Sequence, residues 1–230
     1  MLTVGAMVES ARPPSRRLEN PRDGWLDRLL CRRLSRPLTH LLLPTGLSPN
    51  TVTLAGIVVG GTGGLLLAAP TTAATVLAVL CLLTSGVLDC CDGELARLRS
   101  AESRLGHWLD ISGDTVVHVA VLGGLALRLA SAGDVPGRPV LALLGLGVLG
   151  AFAVITWSEE TGARRHRVAG WENRVLDGIL SPLSTRDWYV FPVAFALAGR
   201  LDLLVPAAAV GAHVFWVATL VVLLRALGRA

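Results

Sequence analysis

Apolar residues in this chain fall into long blocks separated by short polar links, a pattern that predicts helices crossing a membrane. The blocks run about Thr51 to Ala69, Thr71 to beyond Leu88, Gly106 to Ala130, Val140 to Trp157, Thr185 to Ala198 and Asp202 to Leu227. The first would be about 28 Å long as a helix, close to the hydrocarbon thickness of a bilayer. In the third block only Thr115 to Leu127 is uninterrupted. It spans only if the turns carrying Asp110 and Asp114 are included, and those turns must then face a hydrated cavity. Ahead of the first block, Leu26, Leu29, Leu30, Leu34, Leu38, Leu41 and Leu42 recur at helical spacing against Arg28, Arg32, Arg33 and Arg36, with Pro37 a possible kink. That pattern suits an amphipathic helix lying on an anionic membrane face. The fold expected is therefore all-α and integral to the membrane: six transmembrane helices preceded by an amphipathic interfacial helix. Residues 1–23 form a disordered polar tail without the features of a signal peptide, residues 24–46 the interfacial helix, and residues 47–230 the six-span domain.

Composition supports the membrane class. Of 230 residues 52% are hydrophobic, and the mean hydropathy is +0.59, more apolar material than a soluble domain can bury. The net charge of +4 comes from Arg, since the chain has no Lys. No groove-reading motif or aromatic platform accompanies it, so nucleic acid is not an expected partner. Basic residues gather in the N-terminal region, the links 98–105 and 158–187 and the C-terminus, against little beyond Arg128, Arg138 and Arg200 on the other side. The positive-inside rule then places both termini on the cytoplasmic side of the cell membrane. Of Cys31, Cys81, Cys90 and Cys91, none has metal-site spacing. Cys90 and Cys91 read as packing residues, because soft sulfur is a poor ligand for a phosphate-handling cation. Gly60 and Gly64 read as a helix-packing pair, with a dimer contact as the alternative.

The chemistry concentrates in DCCDGELARLRSAESRLGHWLDISGD, where Asp89, Asp92, Asp110 and Asp114 stand at the ends of two apolar segments. On helices, Asp89 and Asp92 share one face and Asp110 and Asp114 another, so the two pairs can converge. Unpaired, four such acids would cost on the order of 10 kcal/mol in a bilayer. Two divalent cations balance them, and hard carboxylate oxygens suit Mg²⁺ or Mn²⁺. Paired metal ions on Asp ligands are a recurrent clamp for phosphoryl oxygens.

The spacing D-x2-D-G-x2-A-R-x8-G-x3-D-x3-D, eight positions without a mismatch, resembles the signature of the CDP-alcohol phosphotransferase (phosphatidyltransferase) family. The resemblance implies transfer of a substituted phosphate from a CDP-linked donor, CDP-diacylglycerol first and a soluble CDP-alcohol as the alternative, to an alcohol acceptor with release of CMP. It also implies a homodimer working in phospholipid biosynthesis. On this reading Asp89, Asp92, Asp110 and Asp114 hold the metal ions, and Asp114 is the catalytic base. Asp89, Gly93 and Arg97 meet the nucleotide end of the donor, where Gly93 admits the pyrophosphate or ribose. Arg97 either offsets phosphate charge or snorkels at the interface. The run Pro-Asn-x-x-Thr at Pro49 resembles the family's first membrane helix, which makes Asn50 and Thr53 nucleotide contacts; capping alone would also explain Asn50.

For the acceptor, Arg164, Arg165 and Arg167, together with Arg186, could bind a phosphate, which favours glycerol phosphate or inositol phosphate. Two other classes compete. A transporter would also place acids in the membrane, but these gather at one boundary and no inverted repeat is visible. A Gly-rich scaffold leaves the motif unexplained.

Overall fold

The structure, a computed structural model, describes residues 27–133, 138–162 and 190–228. Among them every regular element is helical. A π-helical turn, Asp27–Cys31, leads into α1, Arg32–Leu42, and a 3-10 turn, Leu43–Thr45, leaves it. The helix runs through Pro37 without splitting. Then follow α2, Pro49–Leu66, α3, Thr72–Leu98, and α4, Arg104–Ser131. The last three are α5, Arg138–Glu160, α6, Val190–Leu197, and α7, Leu201–Leu227.

Local chemistry sets the starts. The Ser48 hydroxyl caps α2 by accepting from the Thr51 amide at 3.1 Å, with Pro49 filling the first helical position. Ser48 thus takes the capping role expected of Asn50, whose side chain is released for another contact. Thr71 caps α3 through the Ala74 amide at 3.2 Å, and Ser103 caps α4 through the Gly106 amide at 3.0 Å.

Among the described residues four helices, α3, α4, α5 and α7, are long and apolar enough to cross a membrane. The other two expected spans fall short of that mark for different reasons. α2 carries a polar first turn and five glycines that dilute its hydropathy. α6 has eight residues, about 12 Å of helix, and the segment before Val190 lies outside the described residues.

α2 is wedged between α3 and α4 by its glycines. A Cβ on Gly60 would stand 2.6 Å from Ser85 Oγ and 2.8 Å from Val117 Cγ2, and one on Gly64 would stand 2.5 Å from the Ala120 carbonyl carbon. The Gly60/Gly64 pair is therefore taken up by packing within the chain. Ser85 Oγ also donates to the Gly56 carbonyl at 2.8 Å. Below this crossing a shared core of Ala78, Leu82, Val121, Leu125, Leu144, Val205 and Ala209 joins α3, α4, α5 and α7.

α5 and α7 run parallel and pack through small residues. Gly147 accommodates Ala212 and His213, and Gly150 the Trp216 indole. Trp216 Nε1 donates to His213 Nδ1 at 3.0 Å, and His213 Nε2 donates to the Leu143 carbonyl at 2.9 Å. His213, which shows no partner spacing in sequence, has one on each ring nitrogen. Cys90 and Cys91 are buried with Cys31, Val52 and Leu95, the packing role expected of them.

Candidate active site

The motif turns of α3 and α4 meet the first half of α2 around a cavity of about 10 Å³, room for about one water or one ion. Its wall is Thr53, Gly56 and Ile57 from α2, Ser85 and Asp89 from α3, and Asp110, Gly113, Asp114 and Val117 from α4. Three of the four motif aspartates thus converge from two helices on one space, and Thr53 joins them from a third.

Each wall has a local cause. A Cβ on Gly113 would stand 2.5 Å from Ile57 Cδ1, so glycine between the two α4 aspartates lets α2 approach them. The Thr53 hydroxyl donates to the Pro49 carbonyl at 3.1 Å, which holds it against its own helix at the cavity edge. His118 Nδ1 donates to the Asp114 carbonyl at 2.5 Å, so this histidine too has a partner one turn from the motif.

Asp92 is buried but does not line the cavity. It is engaged within the protein, while its Oδ2 atom is buried without a hydrogen bond. Gly93 and Arg97 lie off the cavity together: a Cβ on Gly93 would meet Arg97 Nη1 at 3.2 Å and nothing nearer. The guanidinium therefore folds back over the motif glycine. Asn50 reaches the other motif glycine, since a Cβ on Gly106 would stand 3.0 Å from Asn50 Oδ1. Arg164, Arg165, Arg167 and Arg186 lie outside the described residues.

The donor set is one that a hard divalent cation selects, all carboxylate and hydroxyl oxygen with no soft ligand in the wall. Among the described residues no three His, Cys, Asp or Glu side chains stand close enough to grip one ion as they are. The residues fit such an ion by chemistry and by the space they enclose.

Two features were not anticipated from sequence. His107, inside the motif beside Trp108, lies with Nε2 3.6 Å from Glu159 Oε2 and so ties the motif end of α4 to α5. Glu94, inside the motif but at one of its unspecified positions, is fully buried and bonded to Arg32, Ser35 and Thr39 of α1. The signal for it was present. An acid in an apolar helix needs partners, and Arg32, Ser35 and Thr39 form a polar stripe along one side of a leucine-rich helix.

A family model described as CDP-alcohol phosphatidyltransferase matches residues 47–224. A phosphatidylinositol phosphate synthase of Streptomyces avermitilis is 32% identical over 133 residues, 56% of this chain and 51% of that protein. One of Mycobacteroides abscessus is 33% identical over 115 residues, 44% of this chain and 46% of that protein. The chain thus spans about half the length of the curated relatives it matches. In fold it is similar to the apo crystal structure of Mycobacterium tuberculosis phosphatidylinositol phosphate synthase, with a TM-score of 0.51 and 23% identity over 80% of this chain and 94% of that one.

Proposed function

Since this chain belongs to the CDP-alcohol phosphatidyltransferase family, we propose that it transfers a phosphatidyl group from CDP-diacylglycerol to an alcohol acceptor and releases CMP. The observation that carries the reading is the convergence of Asp89, Asp110 and Asp114 with Thr53 on one cavity. The relatives' names support an acceptor that already bears a phosphate, of the inositol phosphate kind, with glycerol phosphate the alternative that the arginine pattern also suits. Arg164, Arg165, Arg167 and Arg186 are the residues we assign to that phosphate, on their sequence pattern.

In this reading Asp89, Asp92, Asp110 and Asp114 would hold two Mg²⁺ or Mn²⁺ ions. When bound, such ions offset the charge of the donor's pyrophosphate oxygens and polarise the β-phosphorus. Asp114 takes the proton of the acceptor hydroxyl. The acceptor oxygen bonds to the β-phosphorus, the bond from that phosphorus to the bridging oxygen breaks, and CMP departs with the electron pair. Arg97, folded over Gly93, supplies positive charge beside the pyrophosphate. Asn50, beside Gly106, and Thr53, on the cavity wall, border the nucleotide.

Six spans, a cytoplasmic site and a homodimer complete the proposal. The charge pattern favours that orientation: Arg33, Arg36, Arg97, Arg99 and Arg104 stand at the motif end, and Arg128, Arg138 and Arg200 at the other. α1 also has the surface of an interfacial helix, with Leu34, Pro37 and Leu41 exposed along one side and Arg33, Arg36 and His40 along the next. Because Gly60 and Gly64 pack internally, a dimer contact would use another face.

The test is CMP release by purified protein in detergent with Mg²⁺, labelled CDP-diacylglycerol and a panel of inositol phosphate, glycerol phosphate and inositol. A soluble CDP-alcohol donor forms a parallel arm. Release that needs both CDP-diacylglycerol and a phosphorylated alcohol is expected. No CMP from any pair, with no nucleotide bound, would reject the reading in favour of a transport role for the acids.

A further inference from the structure

The polar stripe of α1 does not face water. Arg32, Ser35 and Thr39 recur at i, i+3 and i+7, and all three are buried against α3. There they converge on the Glu94 carboxylate. Arg32 Nη1 and Ser35 Oγ each donate to Oε1 at 2.8 Å, and Thr39 Oγ1 donates to Oε2 at 2.6 Å. Arg32 Nη1 also reaches the Cys90 carbonyl at 3.4 Å, and Cys91 Sγ donates to the Ser35 carbonyl at 3.6 Å. α1 therefore grips the side chain of Glu94 and the backbone between Asp89 and Asp92.

Glu94 lies five residues after Asp89, about 140° further round the helix. The motif turn of α3 is thus held from behind, with α1 on one side and the cavity on the other. Stability alone is a weak explanation for such a contact. Removing a buried ion pair from water costs much of what it returns, and apolar residues of similar volume would pack as well. What directional bonds add is a defined rotation of α3 about its axis. A slip of one residue in this contact would turn Asp89 by about 100° and take it off the cavity wall.

We propose that Glu94, with Arg32, Ser35 and Thr39 of α1, is a positioning device of the phosphotransfer site that sets where Asp89 and Asp92 point. The inference rests on the function proposed above. It makes α1 a working part of the site as well as a membrane contact, and Glu94 a positioning residue that touches no substrate.

The full chain in detergent tests it, as wild type, Glu94→Gln, Arg32→Met with Glu94→Gln, and Ser35→Ala with Thr39→Val. Mn²⁺ uptake is followed by loss of the free-ion electron paramagnetic resonance signal, CMP release by its dependence on Mg²⁺, and folding by thermal denaturation. Glu94→Gln is expected to raise the Mn²⁺ midpoint at least tenfold and to lower turnover. The Arg32→Met, Glu94→Gln pair removes the orphaned charge and should recover thermal stability while keeping the weakened Mn²⁺ midpoint, a split that mere helix packing would not produce. The Ser35→Ala, Thr39→Val pair keeps the ion pair, and a smaller shift in the same direction is expected even if Glu94→Gln does not fold. Wild-type Mn²⁺ midpoints in the two double variants would overturn the proposal. Wild-type protein that takes up Mn²⁺ without releasing CMP would reject the function and leave the positioning role to the Mn²⁺ data; one that takes up none would reject both.

Discussion

Gly124 of α4 lies directly on the carbonyl oxygen of Gly64 in α2, so closely that a Cβ at position 124 would collide with it. The contact sits on the same pair of helices whose other ends supply Thr53 and Asp114 to the cavity. Gly124→Ala must push backbone against backbone, a form of overpacking that costs about 1–3 kcal/mol. Gly123 has open space around it, so Gly123→Ala should be neutral or slightly stabilising. Thermal denaturation of the two variants side by side checks this, with CMP release expected to fall only in Gly124→Ala.

Arg99 closes the elbow between α1 and α2. Its guanidinium donates to the Leu43 carbonyl at 2.8 Å, to the Leu42 carbonyl at 3.4 Å and to the Leu47 carbonyl. The turn itself needs Gly46, whose φ of 74° suits glycine. Arg99→Ala removes three bonds to carbonyls at the end of α1 and in the link to α2, a loss of roughly 1–3 kcal/mol in local stability. Faster hydrogen exchange of the amides from Leu42 to Ser48, with α5 and α7 unchanged, is the expected result.

Much of this architecture is legible in the amino-acid sequence. The long apolar blocks of α3, α4, α5 and α7 announce themselves because a bilayer demands length and hydropathy together. The aspartate motif does too, since four acids at those boundaries require a shared purpose. Two things are harder to see. Capping is decided by backbone conformation, so Ser48 and Asn50 look alike in sequence, whereas in the fold Ser48 is the extended residue before Pro49. The α1 stripe is legible only in part. By periodicity Arg32 belongs with Arg28, Arg33 and Arg36 as membrane-facing charge, whereas it is buried on Glu94, a pairing 62 residues apart in sequence that helical spacing cannot reveal. α2 shows the opposite limit, because its glycines lower its hydropathy while letting it pack between α3 and α4.

Asp114 and Asp89 line the same cavity, and Asp114 is assigned the work of base in addition to the cation binding the two share. Asp114→Asn keeps a polar side chain of the same shape and removes the proton acceptor. Turnover should fall by about 10²–10⁴-fold while CDP-diacylglycerol binding is retained. Asp89→Asn should act through divalent-cation binding alone, so that added Mg²⁺ recovers a larger share of its turnover than of the loss in Asp114→Asn, where the proton acceptor is missing. Paired kinetic and nucleotide-binding titrations of the two variants check the assignment.

For the proposed chemistry, a divalent cation must bind in the cavity that Asp89, Asp110 and Asp114 share between α2, α3 and α4. Anomalous X-ray diffraction from crystals grown with Mn²⁺ tests it most directly. The expected result is an anomalous peak inside the cavity bounded by Thr53, Asp89, Asp110 and Asp114, lost in Asp110→Asn. No peak inside the cavity, or one there that survives that substitution undiminished, would contradict it.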